Sequence, residues 1–220
     1  MNIMKTLAVG AIGAMAVVLS GCDPDKFGVS LPVSAINKAV AGGVGTAKVK
    51  AFYKTSQDDI KQKLPQIKAV LQSHLGEKAK IDLAIPPKGD ATLSVAWRIP
   101  VVDHANVAKV SGKPVLGLVL DGTWLTFMTL SGLEPLNADL NRINSGIDAS
   151  FMCDMEFIVN NDTEEDYTFL VCGAFVDEQP HVYNNVKLAS EDSTTVLFKR
   201  KDDASVFHFR NPCLGIWKKQ

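Results

Sequence analysis

Four cysteines and four histidines are the first residues of this 220-residue chain to weigh for chemistry. Cys22 follows Leu19-Ser20-Gly21 directly after an uncharged apolar stretch, and a thiol among small residues is an accessible nucleophile. Cys153, Cys172 and Cys213 stand nineteen and forty-one residues apart, which matches no paired-cysteine zinc site. His74, His104, His181 and His208 are scattered. Only Asp103 with His104 and Asp177 with His181 bring an acid near a histidine, and neither accompanies a nucleophile motif such as G-x-S-x-G. Asp154 and Glu156 alternate with apolar residues, so on a strand they share a face, either for acid–base work or simply toward solvent. Gly42 to Thr46 has the glycines of a phosphate loop but follows a helix and lacks the Lys-Ser/Thr ending. These residues predict no catalytic constellation, no metal site and no cofactor; the chain reads as a non-enzyme.

The N-terminus is more specific. Met1 to Thr6 carries one charge, Lys5, and Leu7 to Leu19 is an unbroken uncharged run of signal-peptide type. Thirteen such residues fall short of the roughly 20 that a bilayer-spanning helix needs. Leu19-Ser20-Gly21-Cys22 resembles the lipobox of bacterial lipoprotein precursors. The resemblance implies attachment of diacylglycerol to the Cys22 sulfur, cleavage between Gly21 and Cys22, and frequent acylation of the new amino group. Asp23 resembles the sorting residue that keeps such proteins at the inner membrane, so the periplasmic face of that membrane is expected, with the outer membrane as the alternative. Two or three acyl chains hold a protein on a membrane where one binds reversibly. Residues 1–21 are then a signal peptide and 22–26 a lipidated N-terminus with a short linker. Residues 27–220 form a single domain.

That domain has the patterning of an α+β fold. Val29, Leu31 and Val33 alternate; Ser34 to Ala41 reads as a short helix capped by Ser34 and stopped by Gly42-Gly43. Ala47 to Tyr53 is strand-like. A long amphipathic helix spans Gln57 to Leu75, with Ile60, Leu64, Ile67, Leu71 and Leu75 on one face and Ser56 with Asp59 as a capping box. Strands follow at Ile81–Ile85, Leu93–Ile99, Val115–Leu120 and Thr123–Leu130, the last two about an Asp121-Gly122 turn. A second principal helix runs from Glu134 to Asn144. Phe151–Val159 and Tyr167–Val176 read as a hairpin about residues 160–166, and Thr194–Arg200 with Ser205–Arg210 as another. The expected sheet is mainly antiparallel, with two principal helices and one short N-terminal helix. Trp97, Trp124 and Trp217 are assigned to its core or to a membrane interface.

Export would place the three later cysteines in an oxidising compartment. A hairpin centred between Asp162 and Thr163 sets Cys153 opposite Cys172, the candidate disulfide; a bridge using Cys213, or buried thiols, are the alternatives. Without the signal the chain has 22 basic against 24 acidic residues, which does not suit a nucleic-acid partner. The expected protein is a membrane-anchored envelope lipoprotein with an interaction domain for another envelope protein. The alternative is a lipoprotein that binds lipid or another hydrophobic ligand.

Overall fold

The computed structural model describes residues 24–110, 112–149, 153–198 and 213–217. The lipobox, Gly21, Cys22 and Asp23 lie outside them, as does the second strand of the expected last hairpin. The fold begins at once. Pro24 is buried, Asp25 N–H donates to the Phe52 carbonyl at 2.8 Å, and the Asp25 carboxylate accepts from Lys54 N–H at 3.1 Å. Lys26 already belongs to β1 (Lys26–Pro32). Of the linker expected over Asp23–Lys26, Asp25 and Lys26 are bonded into the sheet and Pro24 is buried against the fold.

The chain is mixed α and β, with a strongly curled, mostly antiparallel sheet. After β1 come α1 (Val33–Val40), β2 (Val44–Thr55), α2 (Gln57–Leu75), β3 (Lys80–Ala84) and β4 (Ala91–Asp103). A 3-10 turn over His104–Lys109 leads to β5 (Leu116–Asp121), β6 (Trp124–Thr129) and α3 (Leu133–Arg142). The remaining elements are β7 (Asp154–Asn160), β8 (Tyr167–Val176), β9 (Gln179–Leu188), β10 (Ser193–Phe198) and β11 (Cys213–Trp217). Neighbouring strands run β10-β7-β1-β2-β4-β5-β6-β11-β8-β9, with β3 beside β4. Among the described residues only β1–β7 and β4–β5 pair in parallel. The sheet curls until its ends meet on β8: β11 pairs with Thr168–Val171 and β10 with Phe175–Val176. Gly173, at φ +58°, sits at that changeover. Its left-handed backbone breaks the alternation while the register with β9 runs on unbroken, so the buried set shifts from Tyr167, Phe169 and Val171 to Ala174 and Val176.

One hydrophobic cluster fills the curl. It joins the inward faces of the strands to Val33 and Ile36 of α1, Ile60, Ile67 and Leu71 of α2, and Leu136 and Leu140 of α3. Edge-to-face rings cross it from Trp97 to Phe27, Phe127, Phe157 and Phe198, with centroids 5.2–6.5 Å apart. Trp97 is thus a core residue, whereas Trp124 is 39% exposed.

Several details differ from the expectations. α1 starts at Val33, so Pro32 and not Ser34 holds the cap position. α2 has the expected limits, but Ser56 makes no side-chain cap bond. The β5–β6 loop is Gly122-Thr123, since Asp121 still pairs with Trp124; glycine at the first loop position suits a type II′ turn. β7 and β8 do not pair: β1 and β10 occupy the two edges of β7, and β8 pairs with β9, β10 and β11. The geometry proposed for a Cys153–Cys172 bridge therefore does not arise. Both side chains are buried and no disulfide joins them.

Candidate functional site

Each acid–histidine neighbour in sequence has another use in the fold. Asp103 accepts from Ala105 N–H at 2.9 Å and caps the 3-10 turn that begins with exposed His104. Asp177 folds toward β10, accepting from Thr194 Oγ1 and Thr195 N–H, with no part in a dyad with His181. Glu156 pairs with Lys26 Nζ at 2.6 Å, and Asp154 lies on the same outward side of β7. His208 is outside the described residues. Gly42 to Thr46 closes α1 and opens β2; there the Gly42 N–H bonds Ala39 O and the Gly43 N–H bonds Lys38 O.

A different histidine meets an acid across 65 residues of chain. His74 on α2 lies 2.8 Å, Nε2 to Oδ2, from Asp139 on α3, and Arg142 Nη1 holds the other carboxylate oxygen at 2.9 Å. An ionised carboxylate only accepts, so the His74 Nε2 carries the proton. The His74 hydrogen bond first, then the Arg142 charge, hold the Asp139 carboxyl below the usual aspartate range against an opposing effect of burial. A lowered folded-state pKa gives stability that is complete above the unfolded value of about 3.9 and is lost as pH falls through the lower folded value. Acid unfolding should therefore show a contribution confined below about pH 4. Asp139→Asn should remove that part of the acid limb in a pH series of denaturant melts. An unchanged acid limb would refute the assignment.

The α2–α3 clamp ties two helices together. Among the described residues no three of His, Cys, Asp and Glu gather as metal ligands.

An opening does exist beside α1, of about 550 Å³. Its helical wall is Asn37, Val40 and Ala41; facing it are Thr163, Glu164 and Glu165 of the loop between β7 and β8, with Tyr167 at the start of β8. α1 turns Val33, Ala35, Ile36 and Ala39 into the core, which leaves Asn37 and Val40 on the outer side. Val40 is 66% exposed, unusual for a valine next to a cleft. Asn37 Nδ2 donates to the buried Tyr167 hydroxyl, which fixes both polar groups.

The loop is built around Asn161, which is 1% exposed. Its amide donates to the carbonyls of Glu165, Leu188 and Ala189, and its carbonyl accepts from Thr163 N–H and Oγ1. Ser190 adds a second tie, donating Oγ–H to Thr163 O and N–H to Asp166. Asp162 meanwhile accepts from the Ser34 N–H and hydroxyl, so the loop caps α1 from a distance of 128 residues in sequence. The helix dipole favours a carboxylate at that end. The cleft thus has hydrogen-bonded walls, an exposed apolar residue and the exposed residues Glu164 and Glu165 on its rim. Such a surface can hold a short polypeptide segment carrying a basic and an apolar side chain. In sequence, residues 160–166 carry only the signal of a hairpin turn, and the cleft is invisible there because only long-range pairing brings that loop to α1. Comparison of the chain with protein-family models and with curated proteins gives no match.

Proposed function

We propose that this protein is a membrane-anchored bacterial envelope lipoprotein whose folded part binds another envelope protein. The observation that carries the anchor is Leu19-Ser20-Gly21-Cys22, placed directly after a basic start and an apolar run. No described helix is long and apolar enough to cross a membrane, so in this reading attachment falls to lipid on Cys22. Asp23 favours retention at the inner membrane. Changing Cys22→Ser should abolish labelling by a fatty-acid probe and leave an unprocessed precursor on a gel; unchanged labelling would end the proposal.

The partner reading is supported by the cleft beside α1, and by rings that pack the sheet interior where a hydrophobic ligand would otherwise sit. A photo-crosslinker at Val40 should capture one dominant envelope protein, and Glu164→Lys with Glu165→Lys should suppress that capture. Capture that survives both charge reversals would remove the cleft from the interaction.

A further inference from the structure

The outer face of β1, β2, β4 and β3 carries a patterned set of cations. β2 alternates: Ala47, Val49, Ala51 and Tyr53 point inward, while Lys48, Lys50 and Lys54 are exposed. Directly opposed residues of paired strands share a face. One row across the sheet therefore reads Glu156, Gly28, Lys50, Ala96, Lys80, and the next reads Asp154, Lys26, Phe52, Ser94, Asp82. Lys48 stands opposite Arg98 in a third. Small neighbours leave the cations clear, and the Lys50 ammonium lies 4.9 Å from the Phe52 ring centre on the same face. Glu156 is taken by Lys26 at one border, and Asp82 is the acid on the β3 side. Among the described residues none of Lys48, Lys50, Lys54, Lys80 or Arg98 forms an ion pair.

The position of this face relative to the N-terminus is decisive. Pro24 is buried only two residues after Cys22, a reach of about 7 Å when extended. Lys26 is directly opposite Phe52, so the chain enters the fold at the edge of the basic face. Because β1 and β7 are parallel, the loop that follows β7, with Asp162, Glu164, Glu165 and Asp166, lies at the other end of β1, roughly 20 Å away. The cations thus gather from the Lys26 row, where Asp154 and Asp82 flank a single lysine, to the rows of Lys50 and Lys48, and the acidic loop lies beyond the far end of β1.

We propose that this face, centred on Lys48, Lys50 and Arg98, docks on an anionic bilayer surface and fixes the orientation of the domain. The proposal rests on the lipid-anchor reading for its tether and on the sheet for its charge. Each cation near an anionic surface contributes about a fivefold gain in binding.

The test uses the full chain, processed and reconstituted into vesicles of neutral phospholipid or with about one-third phosphatidylglycerol. Lysine acetylation is followed by peptide mass spectrometry. Relative to Lys38 and Lys187, Lys48 and Lys50 should react at least about fivefold more slowly on the anionic vesicles, and roughly 1 M salt should erase the difference. Lys48→Glu with Lys50→Glu should also release the protection of Lys54 and Lys80. Equal reactivity on both vesicles would overturn docking whatever the state of Cys22. Protection by a soluble polyanion alone would also overturn it, in favour of another anionic partner. The mass of the Cys22 peptide scores the tether separately: protection without acylation would keep the docking face and remove the anchor.

Discussion

Replacing Gly45 by alanine should lower stability by about 3 kcal/mol, a melting-temperature fall on the order of 10 °C. A Cβ at this position would stand 2.2 Å from the carbonyl oxygen of Ala35, and 2.7 and 2.8 Å from the same residue's C and Cα. All three are backbone atoms in α1, so no side chain can swing aside. Relief requires lifting α1 from β2, which pulls Val33, Ile36 and Ala39 out of the core. Gly28→Ala is the control: its Cβ would meet nothing nearer than the Lys50 carbonyl at 3.9 Å, and the change should stay within about 0.5 kcal/mol. Denaturant melts of the two variants check the prediction, and similar midpoints would show that α1 does not seat as tightly as the backbone indicates.

Asn161→Asp should be the second severe change, costing about 3 kcal/mol. The carboxylate keeps the acceptors for Thr163 but loses the amide that donates to Glu165, Leu188 and Ala189, and it sets a charge against buried carbonyls. The stability loss should come with faster hydrogen exchange at Thr163 and easier proteolysis within residues 161–166, because this side chain fastens that loop to the end of β9. Loss of crosslinking from Val40 should follow as the cleft loosens. If stability drops while the loop amides stay protected, Asn161 supports only the core and the cleft has another organiser.

Local chemistry was legible in the sequence, and pairing was not. The stripe from Ile60 to Leu75 placed α2 at its observed limits, and alternation located the inward residues of β2 and β4. Such signals depend on neighbours three, four or two residues away. β9 escaped because Gln-Pro-His-Val-Tyr-Asn-Asn-Val-Lys-Leu lacks clean alternation, and β11 because it is a short segment just after Pro212. The β7–β8 hairpin failed for a different reason. A polar turn between two apolar runs shows that the chain reverses but not which strand takes the free edge, and β1, from the far end of the sequence, is the one that does. The basic face has the same origin: Lys26, Lys50 and Lys80 are unremarkable singly, and only the register makes them neighbours. His74 with Asp139 required two helices to meet.

The seating of β1 also has a mechanical side. It lies between β2 and β7, matched from Lys26 to Ser30 on one edge and from Lys26 to Pro32 on the other. A pull on the chain ahead of Pro24 runs along this strand, so its hydrogen bonds on both edges bear the load together in shear instead of opening one at a time. Rupture under force is governed by the unfolding rate, and shared loading slows it. The strand closest to Cys22 thus serves as the clamp of the fold, able to take tension from that end and pass it into the middle of the sheet.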